Sequence, residues 1–274
     1  MAMTDSHLDP ESIAPLFYRR PTLLRFADHA GWGLAPHRGY GFAAGAHAVP
    51  LNAAEFMPAL RHYPIVFAAG VPTPLAVLGL EQSHNLFVAD DGAWRPGHYI
   101  PGYARRYPFI IMESPDRATR LLAIDAASER LAALDNKEAG EAVESLFDDT
   151  GDAAPLAKSA MDFCRVFHDQ HLGTMEFVGA LAATGLLTLR RADIRYADAS
   201  RASVDGFQVV DEQAFHDLPA DTVAQWHARG WLALINLHLA SQANWSLLID
   251  LQARAQADDT TQSMTVAHEE TVMQ

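Results

Sequence analysis

The sequence predicts an α+β fold: an antiparallel meander sheet in the N-terminal half packed with a long helix and a C-terminal helical cluster. Three observations carry this. Between residues 65 and 125 short apolar runs are separated by Pro, Gly or polar clusters, as antiparallel strands are. From Pro155 to Thr184 apolar residues recur at spacings of three and four, which lines one face of a helix. After residue 211 the helical period returns in shorter segments.

Residues 1 to about 48 are rich in Pro, Arg and aromatics without a steady period and read as an irregular arm. Asn52 followed by Glu55 resembles a capping box, and Phe56, Leu60 and Tyr63 recur behind it, so a short helix is expected over Ala53–His62, stopped by Pro64. The runs Ile65–Ala68, Leu75–Leu80 and Asn85–Val88 read as a meander, with Asp91-Gly92 as a hairpin turn before Trp94. Phe109–Met112 and Arg120–Asp125 are expected to extend the same sheet. Ser128–Ala154 turns acidic, with Glu138, Glu141, Glu144, Asp148, Asp149 and Asp152, and reads as a solvated hinge. The long helix is expected to end at Gly185. A second hairpin follows, Leu187 through Tyr196 pairing Phe207–Val210 across a loop containing Asp205-Gly206. Helices are expected over Asp211–Asp217, Ala220–Ala228 and Trp231–Leu251. No repeat, heptad or low-complexity tract breaks the pattern, so residues 1–255 read as a single domain and 256–274 as a mobile tail.

A chain of 274 residues, 49% hydrophobic and 20% charged, can bury one substantial core, which excludes disorder as the class. A net charge of -14 repels phosphate backbones and anionic surfaces, so nucleic acid is not an expected partner. The one cysteine, Cys164, can form neither an intramolecular disulfide nor a multi-thiolate metal site, and a reducing cytoplasm is the expected compartment. Asp5, Asp9 and Glu11 stand where a secretory signal would carry positive charge. The most apolar stretch, Trp231–Ala240, falls well short of the roughly 20 residues that span a bilayer, so no membrane span is expected.

Two constellations bear on chemistry. Trp94 to Phe109 crowds Tyr99, Tyr103, Arg105, Arg106 and Tyr107 near Pro101 and Pro108. Two guanidiniums beside three phenols can clamp a carboxylate or phosphate while the rings stack on an apolar body. The competing reading has the same arginines bonding carbonyls and acids of their own fold. The last helix carries a polar stripe that includes Asn236, His238, Ser241, Gln242 and Asn244, which either satisfies buried backbone groups or lines a pocket. His168 with His171, and Glu81 with His84, have ligand-like spacings but no identifiable third ligand, so no metal is assigned. Cys164 sits among apolar residues without an adjacent base. No nucleophile elbow, dinucleotide fingerprint or phosphate loop is present, and no cofactor is expected.

Five blocks in order carry a family resemblance: VPLNAAEFMPALRHYPIVF at 49–67, PLAVLGLEQSHNLFV at 74–88, DGAWRPGHYIPGYARRYPF at 91–109, LFDDTGDAAP at 146–155, and GFQVVDEQAFHDL through LALINLHLASQANW within 206–245. Together they resemble the SapC family, not the multi-spanning peptide-transporter permease of the same name. That family is named for a role at the bacterial surface layer, and its members are found near outer-membrane uptake and flavin-dependent halogenase systems. The resemblance implies a soluble accessory or binding protein in such a pathway, engaging a peptide, glycan or partner protein through Trp94, Tyr99, Tyr103, Arg105, Arg106 and Tyr107, with His238 and Asn244. The alternative is an enzyme that holds an anionic substrate with Arg105 and Arg106 and uses Tyr99 or His238 as proton donor. Five tryptophans and the arm leave room for a homodimer.

Overall fold

The computed structural model describes residues 15–36, 39–113, 119–135, 143–195 and 201–257. In chain order its strands are β1 (Pro21–Leu23), β2 (Trp32–Leu34), β3 (Ala48–Pro50), β4 (Ile65–Ala68), β5 (Pro74–Val77), β6 (Phe109–Glu113), β7 (Arg120–Asp125), β8 (Leu131–Ala133), β9 (Glu144–Ser145), β10 (Leu187–Arg195) and β11 (Arg201–Val210). Its helices are α1 (Phe26–His29), α2 (Phe56–Ala59), α3 (Gly102–Arg105), α4 (Pro155–Thr184), α5 (Glu212–His216), α6 (Ala220–Ala228), α7 (Trp231–Ser241) and α8 (245–257). The fold is α+β with antiparallel sheets, a long helix and a C-terminal helical cluster. The chain divides into two compact units, one drawn from residues 1–37 and 106–166, the other from 38–105 and 167–274.

Unit one holds two small sheets, β1-β7-β6 and β8-β2-β9. Phe109, Leu122 and Ile124 from the first pack with Leu34 from the second and Cys164 of α4, because alternate strand positions and the helix's apolar stripe exclude the same water. Asp125 fastens the edge. Its buried carboxylate accepts hydrogen bonds from the Arg20 amide at 2.8 Å, the Arg19 amide at 3.2 Å and the Tyr107 hydroxyl at 3.1 Å, which ties the entry of β1 to the end of β7. The segment read as an irregular arm thus contributes paired strands from residue 21 onward. In the acidic stretch read as a hinge, β8 and β9 pair with β2 on either side. Its Glu138 and Glu141, the first 14 residues of the arm, Tyr196 of the second hairpin and 258–274 of the expected tail lie outside the described residues.

Unit two is built on the sheet β10-β11-β4-β5-β3. Four sequence expectations are corrected here. First, β6 and β7 do not extend this sheet but pair with β1 in unit one. Second, Asn85–Val88 forms only a single bridge, Val88 to Trp94, because the Asn85 side chain accepts from the Phe87 amide at 2.9 Å and donates to the Ala43 carbonyl at 3.1 Å, and so curls the backbone into a turn. Third, Asp205-Gly206 lies inside β11 rather than in a loop. The register shifts there against Arg190–Ala192, and Gly206 takes φ +75°, which a bulge without a Cβ penalty allows. Fourth, the last helix is interrupted by a 3-10 turn at Gln242–Asn244. The capping box is present, with the Asn52 amide donating to Glu55 Oε2 at 3.0 Å, although only a 3-10 turn and the four residues of α2 follow before Pro64. Helix α4 spans the predicted residues and stops where Gly185 turns to φ +70°.

Candidate functional site

In unit two the predicted cluster organises around Glu55. Buried at the start of its helix, this carboxylate accepts from the Tyr99 hydroxyl at 2.8 Å and the Gly102 amide at 2.5 Å as well as from Asn52. A Cβ at Gly102 would crowd that approach, lying 3.0 Å from Glu55 Oε1 and 3.2 Å from the Phe167 ring. Tyr99 also accepts from Arg105 Nη2 at 3.1 Å, and Arg105 Nε donates to the Ile100 carbonyl at 3.0 Å, with its guanidinium 5.6 Å from the Tyr99 ring centroid. Burial first, and the negative charge of Glu55 second, hold the Tyr99 phenol above its usual range, so it keeps its proton at neutral pH. Trp94 donates to the Tyr63 hydroxyl at 3.2 Å and meets the Tyr40 ring edge-on. Tyr103 packs edge-on against Phe167.

The boundary between the units falls between Arg105 and Arg106. In unit one the Arg106 guanidinium lies 5.6 Å from the Tyr18 ring centroid, and Tyr107 is the donor that completes Asp125. In unit two His238 is fully buried, and its Nε2 accepts from the Val210 amide at 3.0 Å. Asn244 Nδ2 donates to the carbonyls of Leu60 at 2.5 Å and Tyr63 at 3.0 Å. Each of the eight residues singled out in the sequence therefore has an intramolecular partner. Glu81 accepts from Gln252 Nε2 at 3.1 Å, and Cys164, which burial pushes up to about 11, is a core thiol. Among the described residues no group of three or more His, Cys, Asp or Glu side chains is placed to hold a metal.

A concave feature lies elsewhere, within unit one. A cavity of about 470 Å³ is walled by Leu23 and Leu24 at the end of β1, Leu121 and Leu122 of β7, Phe147, and Met161 of α4. Ala153 and Ala157 leave the space that larger side chains would fill, and Arg25, Lys158 and Asp162 are its charged lining residues. Local chemistry holds this shape. Asp148 Oδ1 accepts from the amides of Thr150 and Asp152 and the Thr150 hydroxyl, which closes a tight turn that pairs Phe147 with Ala153. Gly151 in that turn adopts φ +92° beneath the Phe26 ring, and Phe26 meets Phe147 edge-on.

Periodicity gave no pointer to this cavity, because its walls come from four segments separated by up to 139 positions in the chain, Leu23 to Asp162. Two signals were present. Leu121-Leu122 is a doublet that a strand must split between its two faces, and Leu121 is consequently 39% exposed. The Asp148–Asp152 turn recurs within one of the blocks quoted above. Compared with known proteins, the chain matches the SapC family model over residues 24–248. No curated protein and no solved structure matches it.

Proposed function

The chain belongs to the SapC family, and from that premise we propose that it is a binding protein of a bacterial surface-layer or outer-membrane uptake pathway, an accessory in the cytoplasm, whose ligand is an apolar small molecule held in the unit-one cavity. The cavity itself carries this reading. Small-molecule sites occupy about 300–1,000 Å³ and are mostly apolar with a few polar groups, and a space of about 470 Å³ lined by leucines, Phe147 and Met161 fits that description. Fully removing a leucine from water is worth about 1.5–3 kcal/mol, and Leu121, 39% exposed, offers a ligand part of that, which rings already packed against neighbours do not.

A peptide, glycan or protein partner at residues 94–107 is less well supported. It would have to displace Arg105 from Tyr99 and Ile100 before gaining a contact of its own. The enzyme alternative asks Arg105, Arg106 and His238 to converge on one pocket, whereas His238 is enclosed in the core with Nε2 already accepting from Val210. The test is binding of the neutral dye Nile red, followed by its emission shift. Leu121→Asp, at a position 39% exposed, is expected to weaken the dye about tenfold with an unchanged circular dichroism spectrum. Equal binding by both proteins would move the site away from this cavity and end the reading.

A further inference from the structure

Resting on the cavity reading above, we infer that the natural ligand is a single-chain anionic amphiphile, an alkanoate whose hydrocarbon tail lies along the leucines and Met161 and whose carboxylate is held by Arg25 and Lys158. Two observations point to the head group. The protein carries a net charge of -14, yet two of the three charged residues lining the cavity are cations. The acid among them, Asp162, is already committed to Arg165 Nη2 at 2.5 Å.

The Arg25 guanidinium and the Lys158 ammonium, by contrast, enter none of the hydrogen bonds or ion pairs found among the described residues, the His29 ring meeting only the main chain of Arg25. The Asp148 carboxyl feels the charge of Lys158, though least of the influences on it. Asp148 is solvent-exposed, and its Oδ1 is occupied by Thr150 and Asp152, so that attraction is water-screened. A guanidinium and an ammonium supply the donors a carboxylate needs, and both belong to exposed residues. Lys158 also lies in the first turn of α4, where the positive end of the helix dipole has the same sign. The walls contain no hydroxyl or amide side chain to recognise a sugar or a polar peptide, so specificity divides cleanly into tail length and head charge.

The full chain is titrated with saturated n-alkanoates of increasing length, each below its micelle concentration, by displacement of Nile red. Affinity is expected to rise about fourfold per added methylene until the cavity is full, then level off. The alcohol of matching length is expected to bind at least tenfold more weakly than the alkanoate. The double variant Arg25→Gln, Lys158→Gln is expected to reduce alkanoate affinity to that of the alcohol. Alkanoate and alcohol binding alike, or a double variant that keeps alkanoate affinity, would overturn the head-group assignment while the cavity reading survives through the Leu121→Asp result. Affinity that never levels off, or capture by phosphatidylglycerol vesicles that Leu121→Asp abolishes, would equally overturn it by making the surface a bilayer contact. Loss of both dye and alkanoate binding in the wild type would bring down both readings together.

Discussion

At the scale of single residues, two buried groups have consequences that solution measurements can read. Burial pushes the His238 imidazole down to about 4 against the opposing pull of the Ile65 carbonyl, while an unfolded histidine titrates near 6.5. Between those values the unfolded chain binds a proton that the folded chain refuses. Stability from this group is therefore fully present above about pH 6.5 and falls as pH drops toward 4, by up to about 1.4 kcal/mol per pH unit. In His238→Gln the amide oxygen can still accept from Val210 but does not titrate. The urea midpoint of this variant should change less between pH 7.5 and pH 5 than that of the wild type, and parallel curves would contradict the assignment. Cys164 gives a second readout. Its thiol is 2% exposed and, with burial raising its pKa to about 11, holds almost no thiolate at pH 7.5. Alkylation by iodoacetamide should be negligible in the native protein and quantitative in guanidinium, followed by intact mass, and fast native labelling would show that the unit-one core opens.

Elements are joined here by side chains that answer main-chain groups of other elements. After the short helix ends at Ala59, the carbonyls of Leu60 and Tyr63 and both main-chain groups of Ile65 need partners, and the segment at 241–244 supplies them. Ser241 Oγ accepts from the Ile65 amide at 2.9 Å, Gln242 Nε2 donates to the Ile65 carbonyl at 2.7 Å, and Asn244 Nδ2 serves Leu60 and Tyr63. This duty interrupts the last helix: three polar side chains within four residues, Ser241, Gln242 and Asn244, must reach one neighbouring strand and loop, which the tighter 3-10 turn arranges. Asn244→Ala leaves two carbonyls without that donor and should cost about 1–3 kcal/mol in chemical denaturation. A change below about 0.5 kcal/mol would mean that water replaces the amide. In β11, Gly206→Ala is expected to cost about 1 kcal/mol, because a Cβ at φ +75° meets the neighbouring carbonyl. No measurable loss would show that the bulge relaxes.

For the molecule as a whole, charge sets behaviour toward other surfaces. With a net charge of -14 and a pI of about 5.2, solubility should pass through a minimum near pH 5 and the chain should flow through a heparin column at neutral pH. Retention there, eluted by salt, would show a concentrated basic face that the total conceals. No helix among the described residues is long and apolar enough to cross a membrane. Against this acidic background the pair Arg25 and Lys158 stands out, which is why the head-group inference belongs to the cavity and not to the surface in general.

The sequence by itself determined what depends on near neighbours in the chain: the capping box at Asn52 and Glu55, the strands at 65–68 and 120–125, the 30-residue helix and its glycine stop, the α+β class and the family. Those are fixed by spacing, capping and turn chemistry within a few residues. Which strands share a sheet was decided only in three dimensions, since β1 and β7 pair across about a hundred residues through a carboxylate, Asp125, that no local pattern marks. The same holds for the site. Arg105 and Tyr99 admitted both a ligand clamp and bonds within their own fold, because sequence shows their chemistry but not their partners. The cavity walls went unmarked because ordinary leucines become a binding surface only when distant segments leave space between them.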